Sequence, residues 1–122
     1  MQIVAAAAAS YARAGYFTVI DGIVIPRWFL RTLQDALLSE NVQVAYAVLR
    51  ASKSTCIARA AGRHKERLPD ADAVDQLWHE FANLGELEAH VLDTDELDPM
   101  QTADALAARL NKLLLRSERN TA

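Results

Sequence analysis

Apolar positions along the chain alternate between two periods, and the alternation marks out eight elements. Residues 1–14 are alanine-rich and aromatic-poor, a composition that favours helix, and Gly15 follows as a helix-ending residue. Phe17-Thr18-Val19-Ile20-Asp21 is a short β-branched run and predicts a buried strand. Pro26 suits the first turn of a second helix, whose apolar positions Phe29, Leu30, Leu33, Ala36 and Leu37 keep helical spacing. Val42 to Leu49 predicts a second strand. Ser52 can cap a third helix with Cys56, Ile57, Ala60 and Ala61 on its apolar side. After Pro69-Asp70, the stripe Val74, Leu77, Phe81 and Leu84 predicts a fourth helix, and Ala89 to Asp93 a third strand. Asp98-Pro99-Met100-Gln101 combines a cap, a first-turn proline and a capping-box glutamine. It opens a last helix bearing Ala103, Leu106, Leu110 and Leu113.

The predicted order is α-β-α-β-α-α-β-α. Strands separated by helices require crossover connections. The expected fold class is therefore α/β, a three-layer arrangement around a short parallel sheet, with residues 1–122 as a single domain. No internal repeat or linker interrupts it.

Composition agrees with a folded chain. Of 122 residues, 52% are apolar and 24% charged, and the formal net charge is −3. That balance excludes a disordered chain and a uniformly basic nucleic-acid binder. A single cysteine excludes an internal disulfide framework. No apolar run approaches the ~20 residues that span a bilayer. No Lys or Arg precedes Ala5–Ala9, so the basic start of a secretory signal is missing. The expectation is a cytoplasmic chain with no membrane partner.

The small net charge conceals a segregation. Residues 50–67 hold Arg50, Lys53, Arg59, Arg63, Lys65 and Arg67 against Glu66 alone, whereas residues 70–98 hold ten carboxylates and no Lys or Arg. Two mutually attracting solvated faces would explain this, and so would an anion-binding segment beside an acidic stretch. Nucleic acid is not expected as a partner. The acidic stretch repels phosphates, and no aromatic residues interleave with the basic ones.

In an open parallel sheet, ligands bind beyond the carboxyl ends of the strands. The predicted strands end in Asp21-Gly22, in Leu49-Arg50 leading into the basic segment, and in Asp93-Thr94-Asp95. Arg59 and Arg63, four residues apart on one helix, can project together and offer bidentate donors to phosphate oxygens. Asp21 could orient a hydroxyl nucleophile or hold Mg²⁺ through water. Taken singly, each also fits a bland role: a solvated helix face for the arginines, a turn residue for Asp21. Cys56 reads as an inert buried thiol, His64, His79 and His90 form no metal signature, and Trp28 and Trp78 read as core or subunit-contact residues.

Val19-Ile20-Asp21-Gly22, Val48-Leu49-Arg50 followed by Arg59 and Arg63, His90-Val91-Leu92-Asp93-Thr94, and Leu97-Asp98-Pro99 with Thr102-Ala103 resemble, in order and spacing, the later part of the small P-loop kinases. Nucleotide-, gluconate- and shikimate-kinase-like proteins belong to that group. The resemblance implies ATP-dependent phosphoryl transfer to a small molecule, with ATP and Mg²⁺ as cofactors. It implies that Asp21 is the catalytic acid facing the phosphoryl acceptor, with Gly22 and Arg27 on the acceptor side. Arg59 and Arg63 would belong to a basic lid over the phosphates, at about residues 50–67. Asp93, Thr94 and Asp95 would form the loop near the adenine. Two extra residues separate Gly22 from Pro26-Arg27 relative to the Asp-Gly-x-Pro-Arg stretch of nucleotide kinases.

The sequence departs from the family at its phosphate grip. None of Gly15, Gly22, Gly62 and Gly85 belongs to a G-x-x-x-x-G-K-[ST] stretch, the glycine-rich loop whose amides and lysine hold the phosphates. The resemblance therefore implies an incomplete domain, shortened at its N-terminus with Met1 inside a helix, and inactive as a kinase by itself. The other expectation is a non-enzymatic interaction module, a homodimer formed through unpaired strand edges.

Overall fold

A computed structural model describes residues 2–63 and 71–115, the side chains of Arg63 and Ala71 excepted. Among these residues the chain is a mixed helix and sheet protein. Its helices are α1 (Gln2–Arg13), α2 (Arg31–Ser39), α3 (Lys53–Arg63), α4 (Ala71–Glu80) and α5 (Pro99–Arg109), and its strands are β1 (Val48–Arg50) and β2 (Val91–Asp93). A π-type turn spans Pro26–Leu30, and 3-10 turns span Gly85–His90 and Leu110–Leu113. The chain divides into two compact units, residues 1–46 with 114–122, and residues 47–113.

The first unit is organised by small residues. Ala5, Ala8 and Ala9 lie on one face of α1 and pack against Leu33 and Leu37, one turn apart on α2, with Ile20, Val24, Ala36, Val42 and Val44 around them. Alanine lets the helix axes approach, and each buried leucine is worth about 1.5–3 kcal/mol. Both helices end in the same device. Gly15 at the end of α1 has φ 95°, and Asn41 at the end of α2 has φ 60°. Tyr16 N donates to Tyr11 O (3.1 Å) and Gly15 N to Ala12 O (3.0 Å). Val42 N donates to Leu37 O (3.1 Å) and Asn41 N to Leu38 O (3.0 Å). This is the left-handed helix stop that satisfies orphan carbonyls. The apolar contact that accompanies it is Tyr11 edge-on to Tyr16 after α1, with ring centroids 6.0 Å apart. Arg13 pairs with Glu40, joining the two helix ends.

The second unit contains the sheet. β1 and β2 pair in parallel, with Val48 opposite Val91, Leu49 opposite Leu92 and Arg50 opposite Asp93. The connection between them carries α3 and α4, as a parallel pair requires. Trp78 on α4 donates its Nε1–H to the carbonyl of buried Ala51, 2.9 Å away, and so fixes the residue that follows β1. Lys53 on α3 meets Asp75 on α4 at 2.8 Å. The start of α5 forms a full capping box: Gln101 N donates to Asp98 Oδ1 (2.7 Å), and Asp98 N donates to Gln101 Oε1 (2.9 Å).

The strands differ from the expected ones. Residues 17–21 are extended but belong to no strand, and Phe17 and Val19 are exposed rather than buried. No neighbouring segment among the described residues supplies the ladder that would make them one. The second expected strand is reduced to Val48–Arg50, because Val42 closes α2, Ala45 forms an antiparallel bridge with Leu114, and Val44 O accepts from Leu115 N at 2.8 Å. The third is shortened to Val91–Asp93 by the preceding 3-10 turn. Among the described residues the sheet therefore has two strands in place of three.

Candidate functional site

The carboxyl ends of β1 and β2 gather polar groups from three segments of the second unit. The ladder continues one step past the strands, where Thr94 N donates to Arg50 O (3.1 Å). That bond carries Thr94 into a buried position. The loop then turns on itself, with Asp93 Oδ1 accepting from Asp95 N at 2.9 Å, the short-range turn that an Asp two residues upstream provides. Asp95 reaches across to the start of α3. Its Oδ1 accepts from Ser52 N at 2.9 Å, while Ser52 Oγ lies 3.3 Å from Thr55 N and caps the helix.

Arg59, two turns along α3, bends back to the same loop. Its Nη2 donates to Thr94 O at 3.0 Å, and its Nη1 lies 3.5 Å from Thr94 Oγ1. The Ser52 amide foremost, then the Thr55 and Ser52 hydroxyls and the Arg59 charge, hold the Asp95 carboxyl below the usual carboxylate range. Asp95 is thus ionised at neutral pH and fixed, and the Arg59 guanidinium has donors beyond those the loop takes.

Arg50 faces elsewhere. Its Nη1 donates to Phe81 O (2.9 Å), Ala82 O (3.2 Å) and Glu88 Oε1 (2.9 Å). A cation here satisfies carbonyls beyond the end of α4. The same hydrogen bond lowers the Glu88 carboxyl below its ordinary range. Part of the basic segment is therefore structural.

Of the residues singled out in sequence, Arg59, Asp93, Thr94 and Asp95 come together here. Arg63 closes α3, but its side chain lies outside the described residues, as do His64, Lys65 and Arg67. Asp21, Gly22 and Arg27 belong to the first unit. Asp21 and Gly22 are exposed, Gly22 at the bend that follows residues 17–21, and a Cβ at Gly22 would meet nothing within 4 Å. The Arg27 guanidinium lies over the Trp28 ring, 4.4 Å from its centroid. Trp28 is exposed and Trp78 half-buried. Cys56 is half-buried, its Sγ 3.9 Å from Ala51 O. Among the described residues, no three His, Cys, Asp or Glu side chains are grouped to hold a metal ion, and no helix is long and apolar enough to cross a membrane.

Sequence reasoning passed over Ser52 as a member of this site. Its amide meets Asp95 across 43 positions, and what pointed to that loop in the sequence was its place after the third predicted strand together with the resemblance. Compared with protein-family models and with curated proteins, the chain matches none, so its functional reading rests on its own residues.

Proposed function

We propose that the carboxyl-end loop and α3 supply the base and lid side of an ATP site of the P-loop-kinase type, serving phosphoryl transfer to a small-molecule acceptor. One observation carries the reading. An arginine of the expected lid, Arg59, donates to the loop expected beside the adenine, Thr94, at the carboxyl ends of two parallel strands. Ligands of open parallel sheets bind at that end. The guanidinium offers the planar donors that phosphate oxygens take, and the loop of Asp93, Thr94 and Asp95 is held beside it by its own hydrogen bonds.

In this reading the Arg59 guanidinium neutralises phosphate charge; Arg63, whose side chain lies outside the described residues, and Asp21, Gly22 and Arg27, which lie in the first unit, keep only the lid and acceptor-side roles that the resemblance implies. ATP supplies the phosphoryl group. Mg²⁺, bound together with the nucleotide, would be held by phosphate oxygens, water and one or two carboxylates. The 122 residues contain no glycine-rich phosphate loop, so nucleotide affinity is weak and turnover absent in this chain alone. Photolabelling with azido-ATP and mapping of the labelled peptide tests the assignment. Label is expected on the peptide holding residues 93–95, displaced by excess ATP and weakened in Arg59→Ala. Label spread without preference over the chain, or unchanged in Arg59→Ala, would refute it.

A further inference from the structure

Among the described residues, the first unit carries an apolar surface that nothing covers. α1 holds no charged residue before Arg13. One face buries Ala5, Ala8 and Ala9, while Ile3, Val4 and Tyr11 line another, with Ile3 86% and Tyr11 60% exposed. A helix apolar on more than one face belongs inside an assembly rather than at a free surface. Through the Tyr11–Tyr16 contact this face continues into the extended stretch, where Tyr16 is 65%, Phe17 77% and Val19 73% exposed. Among the described residues, the backbone groups of Phe17 to Ile23 bond to no other backbone group. An extended segment with open donors and acceptors and outward apolar side chains is a template for another strand.

We infer that a second copy of this chain covers this surface, pairing its own residues 16–20 antiparallel to those of the first about a two-fold axis at Thr18. The area suits a dimer. Three aromatic side chains of about 150–250 Å² each, at these exposures, present roughly 400 Å². Ile3, Val4 and Val19 add roughly 200 Å². With the backbone strip, the total comes close to the ~800 Å² per partner of a stable interface. Its apolar part alone, roughly 600 Å², reaches the upper end of the ~300–600 Å² patches that monomers leave exposed.

Side-chain chemistry selects the register. Facing residues in an antiparallel pair share a side of the ribbon. An axis at Thr18 sets Phe17 of one copy opposite Val19 of the other, an aromatic and β-branched pair, and Thr18 opposite Thr18, both favoured combinations. Asp21 then falls just beyond the paired residues, near the Gly15 helix stop of the other copy, so neither carboxylate meets an apolar residue or its own copy. This inference does not rest on the nucleotide reading: the apolar residues that carry it, Ile3, Val4, Tyr11, Tyr16, Phe17 and Val19, have no role in that reading.

The test combines light scattering with cross-linking in a Cys56→Ser background. The protein is expected to scatter as a dimer at high concentration, and Val19→Lys to shift it towards monomer. Thr18→Cys is expected to oxidise to a disulfide-linked dimer, since paired Cα atoms ~4.5–5.5 Å apart fall within the ~4.4–6.8 Å that a disulfide spans. Ile23→Cys, displaced from its own copy by on the order of 30 Å in this register, is expected to cross-link at least tenfold more slowly. A monomer at every concentration would overturn the inference, as would equal cross-linking rates at the two positions. The two cysteine variants decide the matter even if Val19→Lys fails to fold.

Discussion

Trp78→Phe isolates one contact on which the candidate site depends. Trp78 Nε1 donates to Ala51 O at 2.9 Å, and Ala51 joins β1 to Ser52, the residue that Asp95 grips. Phenylalanine keeps an aromatic ring but has no donor. The buried Ala51 carbonyl would be left with Cys56 Sγ at 3.9 Å, a weak donor at long range. An unsatisfied buried carbonyl costs about 1–3 kcal/mol. The part of the indole ring lost from a half-buried position adds about 1 kcal/mol at the usual ~25 cal/mol per Å². The expected loss is about 3 kcal/mol, which equals roughly a hundredfold in an opening equilibrium. Native-state hydrogen exchange reads it at the Thr94 amide, which donates to Arg50 O across the end of the ladder. That amide should exchange about a hundredfold faster in Trp78→Phe. An acceleration below about fivefold would show that the indole contact does not hold the end of β1.

Acid should weaken the second unit. Asp75, Glu88 and Asp95 are all held below the usual carboxylate range, by the Lys53 ammonium, the Arg50 guanidinium and the Ser52 amide respectively. Stability from a lowered carboxyl is complete above the unfolded-state value and is lost as pH falls through the folded one. Melting temperature should therefore decline below about pH 4, and a flat profile into stronger acid would contradict the three pairings. Alkali tests the first unit. Burial pushes the Tyr46 phenol up to about 12, and its hydroxyl donates to Val24 O at 2.9 Å. Because the neutral form is favoured on folding, that contribution persists below the unfolded value of about 10 and fades as pH climbs through the folded one. The phenolate absorbance of the wild type minus that of Tyr46→Phe should rise near the higher value; a step at the ordinary one would contradict the buried hydroxyl.

Helices were legible in the sequence because their signals are local. Gly15 stopped α1 where expected, and the Asp98–Gln101 capping box formed with both of its hydrogen bonds. Strands were less legible because a strand exists only with a partner. Phe17 to Asp21 has the composition of a buried strand yet lies exposed and unpaired among the described residues, while Val42 to Tyr46 was claimed by the stop of α2 and by Leu114 and Leu115. The site shows the same division. The Asp93-Thr94-Asp95 turn follows from adjacent residues, whereas the reach of Arg59 to Thr94 spans 35 positions and depends on β1 and β2 pairing in parallel. Charge alone could not separate Arg50, which stitches the end of α4 to Glu88, from Arg59, which faces the loop.

Amide chemical-shift mapping by NMR during titration with ATP and Mg²⁺ tests the central claim most directly. The account predicts weak binding in the millimolar range, with the largest shifts at Ser52, Arg59, Thr94 and Asp95 and smaller ones along α4. Shifts centred away from the carboxyl ends of β1 and β2, or none at saturating nucleotide, would contradict it.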